Sequence, residues 1–400
     1  MDDKCIARVV AALDGFSIEL PSWGFADTGT RFGKFFQAGA AIDIFDKIGD
    51  AGEVHRLTGC CPEVAVHVLW DFGDDVSTQA VLAAASKAGI KIGAINPNVF
   101  QDQDYKLGSV ANPDPVIRQK ALDHLLSSIR LGQETGSRMV SLWFADGTNY
   151  PGQDCIRDRK RHFEAALEEC HEALGEEQVL LVEYKPFEPA FYQTDIADWG
   201  MALLLARKAG PKAKVLVDTG HHYSAQNIEQ IVAWLLDEGM LGGFHFNDRR
   251  YADDDLTLGS IDPYQVFRIF AEIHQFNSDP KKGAESIAYM VDQSHNLKPK
   301  IEAMIQTAML AQEYYAKAAL IDWDELRTAQ RSGNIVDAER VYQKAFRTDV
   351  TMAVEQWRRS KGIDCDPLTA FRESGYLEKV TLDRTARREQ LGISQSSSYA

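Results

Sequence analysis

Short apolar segments alternate with longer amphipathic segments over about the first 290 residues of the chain. The short segments have the length and composition of buried strands, and there are eight, at residues 17–20, 64–69, 90–95, 138–143, 179–184, 214–217, 243–246 and 288–291. Amphipathic helices are predicted between them, among others at residues 116–127, 159–174, 198–208 and 227–238. This alternation is typical of a parallel sheet with right-handed crossovers. Eight repeats predict an α/β fold, the TIM (β/α)8 barrel.

A doubly wound open sheet is the structural alternative. That fold usually carries a phosphate-binding glycine-rich turn, and neither a G-x-G-x-x-G pattern nor a P-loop occurs in the sequence. Strand signals fade after Asn296, where four further helices are predicted at residues 301–319, 323–332, 334–348 and 352–361. The sequence therefore predicts a barrel domain over residues 1–296 and a helical C-terminal extension over residues 297–400, with a role in oligomerisation.

Charge and hydropathy limit the partners that the chain can have. The formal net charge is −16, and an acidic surface repels the phosphate backbone of nucleic acids. No segment approaches the roughly 20 apolar residues that span a membrane, and residues 1–20 lack the apolar stretch of a secretory signal. The six cysteines have no C-x-x-C spacing. These observations predict a cytoplasmic protein with reduced thiols that binds neither nucleic acid nor membrane.

Metal-competent side chains occur on each of the last four predicted strands. Active sites of TIM barrels lie at the C-terminal ends of the strands, and the side chains at those ends here are Glu183, Asp218, His245 and Asp292. Buried carboxylates are costly unless they pair or bind a cation. Three carboxylates with one imidazole favour Mn²⁺, Mg²⁺ or Co²⁺ over a structural zinc site.

A second group of candidate ligands follows from the loops after the sixth and seventh strands. Asp253 and Asp255 are two residues apart, so an extended loop would point both to the same side. His221 lies three residues after Asp218, close enough to serve the same second ion, and Glu183 could bridge the two ions.

Each candidate also has a simpler structural interpretation. Asp253 and Asp255 alone would more often form a solvated acidic loop, and His245 would more often be a core histidine. Asp218 could cap the following helix, and Lys185 could be a surface lysine. Co-occurrence on four consecutive strands nevertheless favours a metal site.

Several segments resemble the L-rhamnose isomerase family, in its broad-specificity bacterial branch. They are Val182-Glu-Tyr-Lys-Pro-Phe-Glu-Pro189, Val217-Asp-Thr-Gly-His-His222, Gly243-Phe-His-Phe-Asn247, Tyr251-Ala-Asp-Asp-Asp255, Val291-Asp-Gln-Ser-His295, Ile95-Asn-Pro-Asn-Val-Phe-Gln101 and Ser141-Leu-Trp-Phe-Ala-Asp-Gly147. The resemblance extends from about Pro21 to about Asn296 and is weaker in the helical tail. The related xylose isomerases share the spacings Glu-x-Lys, acid-x-x-His and Asp-x-Asp.

The resemblance implies two divalent ions per chain, most often Mn²⁺, with Co²⁺ or Mg²⁺ possible. The ion that grips sugar hydroxyls would be held by Glu183, Asp218, His245 and Asp292. The catalytic ion would be held by His221, Asp253 and Asp255, with Glu183 shared.

The resemblance also implies roles for side chains around the ions. Lys185 would donate to the carbonyl oxygen of the sugar, Asp255 would be the partner in proton transfer, and His67 would assist ring opening. Trp70 and Trp143 would line the sugar pocket. Phe32 would be lent to the site by a neighbouring subunit of a homotetramer.

The implied reaction interconverts L-rhamnose and L-rhamnulose, and also D-allose and D-psicose (D-allulose), by a hydride shift between C1 and C2. An enediol route is the mechanistic alternative, and the sequence does not decide between the two. Metal-dependent phosphoester hydrolysis is a functional alternative, although it needs a basic track that the acidic sequence lacks. A keto-sugar epimerase on a related one-metal barrel and a metal-sequestering or scaffold protein are the others.

Overall fold

A computed structural model describes residues 1–30, 33–73, 75–187, 194–278 and 287–393. Within those residues, eight parallel strands form one sheet. They are β1 Leu20–Pro21, β2 Glu63–His67, β3 Lys91–Asn96, β4 Met139–Leu142, β5 Val179–Glu183, β6 Ala213–Asp218, β7 Leu241–Phe246 and β8 Ala288–Val291. Each neighbours the next along the chain, and a parallel bridge between Glu19 and Met290 brings β8 back to β1. The predicted TIM barrel is confirmed.

Helices cover the outside of the barrel. The described residues form α1 Asp3–Asp14, α2 Ile44–Thr58, α3 Val68–Asp71, α4 Thr78–Ala88, α5 Pro115–Thr135, α6 Ile156–Ala173, α7 Trp199–Ala209, α8 Ile228–Asp237, α9 Pro263–Asn277, α10 Lys300–Ala318, α11 Trp323–Arg331, α12 Ile335–Arg347, α13 Thr351–Ser360, α14 Pro367–Glu373 and α15 Tyr376–Leu391. A small hairpin, Thr28–Thr30 with Gly33–Phe35, lies in the loop after β1. The predicted helices are present, whereas α1, α3, α14 and α15 were not predicted, and α3 begins at Val68, inside the strand predicted at residues 64–69.

Local sequence signals set where these helices begin and end. An Asp or Asn side chain accepts a backbone N–H at the start of α2, α5, α7, α8 and α9, which satisfies a donor that the helix leaves unpaired. Gly89 and Gly136 end α4 and α5 with positive φ values of 75° and 74°, a conformation that glycine adopts without steric cost.

Alternation along each strand decides which side chains enter the barrel. In β5, Leu180 and Val182 pack in the large core between strands and helices, whereas Leu181 packs inside the barrel with Leu216 and Met290. Because successive side chains of a strand point to opposite faces, Glu183 follows Leu181 into the interior. The same alternation carries acids into the mouth of the barrel.

The C-terminal helices pack on the barrel and on the start of the chain. Helix α10 contacts both α9 and α2, so it completes the outer ring. Helix α15 is held by a buried ion pair in which Arg384 Nη2 lies 2.8 Å from Asp50 Oδ1 of α2. The domain division at residue 296 and the oligomerisation role of the tail stay predictions.

The six cysteines are free thiols, with Cys60 Sγ 3.8 Å from Cys61 Sγ. Among the helices that the structure describes, none is long and apolar enough to cross a membrane.

A buried carboxyl, Glu19, lies inside the barrel on the side opposite the mouth. Its Oε1 accepts the backbone N–H of Ala94 at 2.5 Å. Gly93 makes room for it, because a Cβ at that position would lie 2.1 Å from Oε1. A cavity of about 520 Å³ opens beside Glu19 at the N-terminal ends of the strands. Burial, and then the charge of Glu63, raises the pKa of Glu19 to about 8.

We expect Glu19→Gln to reduce the loss of stability of the barrel at alkaline pH. An acid whose folded pKa is raised contributes stability that is present below pH 4.5 and lost as pH rises through about 8. The free energy of unfolding of the wild type should fall by about 2–4 kcal/mol between pH 5 and 9, and that of Glu19→Gln should fall less. Denaturant unfolding of chelator-treated protein measures this. Glu177→Gln, at an exposed glutamate, is the control, and identical pH profiles for all three proteins would contradict the account.

Candidate metal centre

Four side chains from consecutive strands meet at the C-terminal mouth of the barrel. Glu183 ends β5, Asp218 ends β6, His245 lies in β7, and Asp292 follows β8. The register places Asp218 opposite His245. His245 Nδ1 lies 3.2 Å from Glu183 Oε2, 3.9 Å from Asp218 Oδ2 and 4.0 Å from Asp292 Oδ2. The structure thus brings together the four side chains that the sequence predicted as ligands of one ion.

A second imidazole, His221, lies on the other side of the same carboxylates. Its Nδ1 is 3.1 Å from Glu183 Oε1, and its Nε2 is 3.4 Å from Asp253 Oδ2 and 3.9 Å from Asp218 Oδ2. Both Glu183 and Asp218 therefore lie between the two imidazoles. The sequence predicted this bridging position for Glu183 and placed Asp218 with the first ion alone.

The tight turn after β6 explains the position of Asp218. Gly220 donates its backbone N–H to Asp218 Oδ1 at 2.6 Å, which folds the chain back and brings His221 beside that carboxylate. A Cβ at Gly220 would lie 2.5 Å from Asn247 Oδ1 and 2.9 Å from Asp253 Oδ1. Only glycine fits this close approach.

The acidic loop after β7 separates its three aspartates. Asp254 accepts the backbone N–H groups of Arg250 and Tyr251 and so closes the loop. Asp253 turns towards His221. Asp255 has a left-handed φ of 47°, a strained conformation for a residue other than glycine. Burial, and then the charge of Asp253, raises the pKa of Asp255 well above its usual range. Asp255 is in neither of the compact groups of metal-competent atoms formed by described residues, and its assignment as a ligand stays a prediction.

These side chains fit divalent cations. Glu183, Asp218 and His221 offer one ligand atom each within 4.8 Å of one another, as do Asp218, His245 and Asp292. Asp218 Oδ2 is buried and has no hydrogen-bond partner in the part of the chain that the structure describes, and the same holds for Asp253 Oδ1. Unpaired buried carboxylate oxygens are unfavourable unless a cation approaches them.

The pKa values show the same demand for positive charge. Burial raises the pKa of Asp218 to about 7. Burial alone would lower the pKa of His245, but the charges of Glu183, Asp292 and Asp218 together outweigh it and raise this pKa to about 9. Conversely, burial would raise the pKa of Glu183, yet His245 and His221 together outweigh it and bring this pKa down to about 2. The imidazoles thus carry the balancing charge, which a divalent ion would take over.

Neighbouring groups orient the candidate ligands, and the sequence analysis missed them. Trp23 Nε1 donates to Asp292 Oδ1 at 2.8 Å, and Asn247 Nδ2 donates to Asp218 Oδ1 at 3.0 Å. His221 Nδ1 lies 3.0 Å from the carbonyl oxygen of Tyr184, which leaves Nε2 free for a metal. Asn247 could have been found from the sequence, since it follows His245 by two residues and so lies on the same face of the chain. No comparable signal existed for Trp23.

Lys185 is buried beside the centre. Its Nζ lies 2.5 Å from Asp253 Oδ2 and 5.3 Å from the centroid of the Trp143 ring. The interpretation of Lys185 as a surface lysine is therefore wrong. The ammonium group lies between the carboxylates and the aromatic side chains opposite them.

Those aromatic side chains form a continuous layer, here called the aromatic wall and defined as Trp23, His67, Trp70, Phe100 and Trp143. The His67 ring lies 4.7 Å from the Trp23 ring and 4.0 Å from the Trp70 ring, and Phe100 lies 5.0 Å from Trp143, between ring centroids. Burial lowers the pKa of His67 to about 3, so this imidazole is neutral.

The sequence analysis named His67, Trp70 and Trp143, and it missed Trp23 and Phe100. Trp70 lies at the rim with 41% of its surface exposed. Phe32 lies outside the described residues.

Comparison with known proteins shows which family the chain belongs to. Residues 63–297 match the family described as xylose isomerase-like TIM barrel. The chain belongs to this family. It is 38% identical over 386 residues to a probable sugar isomerase of Mesorhizobium japonicum, a match that covers 95% of this chain and 89% of that protein. A probable sugar isomerase of Rhizobium meliloti is 37% identical with the same coverage.

A solved structure of L-ribulose 3-epimerase is similar with a TM-score of 0.54 at 14% identity, covering 80% of this chain and 98% of that chain. At that identity the similarity shows the fold alone. The family match begins at β2, so it includes every strand that carries a candidate ligand.

We expect Asp218→Asn to abolish binding of both ions, because Asp218 lies beside both imidazoles. Isothermal titration of chelator-treated protein with Mn²⁺ should give two ions per wild-type chain and none per variant chain at ion concentrations that saturate the wild type. Asp254→Asn is the matched control, because an amide oxygen can still close the loop, and it should bind two ions. Two ions on Asp218→Asn would show that Asp218 is not a shared ligand.

Proposed function

We propose that the protein is a metal-dependent aldose–ketose isomerase that interconverts L-rhamnose and L-rhamnulose and also accepts D-allose and D-allulose. One observation carries the proposal. The imidazoles of His221 and His245 both lie beside Glu183 and Asp218, and Lys185 and the aromatic wall face them. The two relatives described as probable sugar isomerases support the class of reaction and of substrate. The cytoplasmic location and the homotetramer stay predictions.

The ligand assignment follows the contacts. His245 and Asp292 would hold one ion, and His221 and Asp253 would hold the other with Asp255. Glu183 and Asp218, which lie beside both imidazoles, would contribute to both ions. Carboxylate-rich sets of this kind suit Mn²⁺, Co²⁺ or Mg²⁺. Two bound ions would polarise neighbouring oxygens of an open-chain sugar as Lewis acids.

Lys185 supplies positive charge where the sugar carbonyl becomes negative. Its Nζ is fixed by Asp253 at 2.5 Å and by the face of Trp143 at 5.3 Å. A donor that is already in place stabilises a developing negative charge without reorganisation. Asp255 would take the proton of the C2 hydroxyl of the aldose while hydrogen moves from C2 to C1 as hydride. The same proton would then return to the oxygen at C1, so that the sugar neither gains nor loses a proton overall.

The aromatic wall suits the apolar face of a sugar. Neutral His67 can donate a hydrogen bond to the ring oxygen of the sugar or accept one from a hydroxyl, and either contact assists ring opening. L-Rhamnose is a 6-deoxy sugar, so its far end is a methyl group that packs favourably on Trp70 or Trp143.

A keto-sugar epimerase is the second candidate function, because solved epimerases share the fold. The two reactions differ in product. An isomerase converts an aldose into a ketose, whereas a 3-epimerase converts one ketose into another.

Metal removal and restoration test the proposal. The protein is treated with chelator, reloaded with Mn²⁺ and assayed with L-rhamnose, D-allose and L-mannose, with D-allulose as the epimerase substrate. We expect aldose–ketose interconversion that disappears without metal and returns with it, fastest with L-rhamnose. Conversion of D-allulose to another ketose, without any aldose, would support the epimerase instead.

The same assay in deuterated water tests the route. A hydride shift keeps solvent deuterium out of the carbon-bound positions of the product, whereas an enediol route incorporates it. Substantial deuterium at C1 or C2 would contradict the hydride shift while leaving the isomerase assignment intact.

A further inference from the structure

A buried ion pair lies directly behind the aromatic wall. Lys47 Nζ of α2 is 2.5 Å from Asp71 Oδ1 at the end of α3, and the side chains of the two residues are 6% and 0% exposed. Burying an ion pair costs free energy that well-packed apolar side chains would not. The burial of this ion pair beside the wall therefore suggests a role other than stabilising the fold.

The Asp71 carboxylate joins three segments that carry the wall. Besides Lys47, it accepts the hydroxyl of Ser22 at 2.5 Å and the backbone N–H of His67 at 2.9 Å. Ser22 is adjacent to Trp23 in sequence, and Asp71 is adjacent to Trp70. The hydrogen bond between Ser22 and Asp71 thus fixes the spacing of the two tryptophans that flank the His67 ring.

Other hydrogen bonds hold the same turn. Leu69 donates its backbone N–H to Asn98 Oδ1 at 2.9 Å, and Trp70 Nε1 donates to Gln101 Oε1 at 2.6 Å. The Asp71 carboxylate makes no hydrogen bond with the His67 ring and takes its backbone N–H instead. Asp71 can therefore influence the position of His67 rather than the protonation of its ring.

We propose that Asp71, with Lys47 as its counter-charge, is a positioning residue that sets the spacing of Trp23, His67 and Trp70 for the sugar. This inference rests on the proposed function. Among the described residues, Asp71 makes no hydrogen bond with a candidate metal ligand, and it is linked to one of them, Asp292, only through Trp23. The consequence of the inference is that a change at Asp71 alters sugar turnover much more than it alters metal binding.

Asp71→Asn tests the inference, because it keeps the shape of the side chain and removes its charge. We expect kcat/KM for L-rhamnose to fall about 10- to 100-fold, as displacement of positioned groups does. The Mn²⁺ stoichiometry should be unchanged, and the Mn²⁺ affinity should change much less than kcat/KM, because among the described residues only Trp23 links Asp71 to a candidate ligand. A crystal structure of the variant should show the His67–Trp70 ring distance changed from 4.0 Å. Ser22→Ala removes one hydrogen bond and leaves the ion pair, so it should fold and change kcat/KM in the same direction by a smaller factor.

Asp50→Asn is the matched control. Asp50 is an equally buried carboxylate on the same helix, and its side-chain partners are Arg384 and Tyr376, neither of which belongs to the wall. It should lower Tm as Asp71→Asn does while leaving kcat/KM at the wild-type value.

The inference is overturned if Asp71→Asn and Ser22→Ala keep the wild-type ring spacing and kcat/KM, or if Asp50→Asn lowers kcat/KM as much as Asp71→Asn. A wild type that converts no sugar would refute the proposed function instead. The ring spacing in the variant structures would still decide the positioning role.

Discussion

The arrangement of side chains at the barrel mouth is governed by the negative charge that the strands concentrate there. Glu183, Asp218 and Asp292 all emerge from apolar strands, and Asp253 is brought to them by a loop. In the buried interior these carboxylates repel one another more strongly than in water. Two imidazoles and one ammonium group offset part of this charge, and divalent ions are the natural complement.

The other half of the site is apolar and is held by a different kind of contact. The end of β2 and the segments that follow β1, β2, β3 and β4 contribute the aromatic wall. The buried carboxylate of Asp71 ties the segment after β1 to the end of β2. The two halves meet where Trp23 donates to Asp292 and where Lys185 lies over Trp143. A polar half that binds oxygens and an apolar half that packs on C–H groups suit a sugar.

The strands and the candidate ligands were predictable because they follow short-range rules. Apolar periodicity marks the strands, and alternation from Leu181 dictates that Glu183 points inwards. Helix α15 was missed since its buried side chains are Arg384 and Arg388 rather than an apolar stripe. The contact between Trp23 and Asp292 joins residues 269 apart in sequence, and no local pattern records such a contact. The shared position of Asp218 likewise depends on a turn whose closeness only the folded chain shows.

The central claim is that each chain holds two ions around a shared pair of carboxylates. Anomalous scattering from crystals grown with Mn²⁺ tests it most directly. The account predicts two manganese peaks per chain, one beside His245 and Asp292 and one beside His221 and Asp253, with Glu183 and Asp218 reaching both. A single peak in Mn²⁺-saturated crystals, or peaks remote from these side chains, would contradict it.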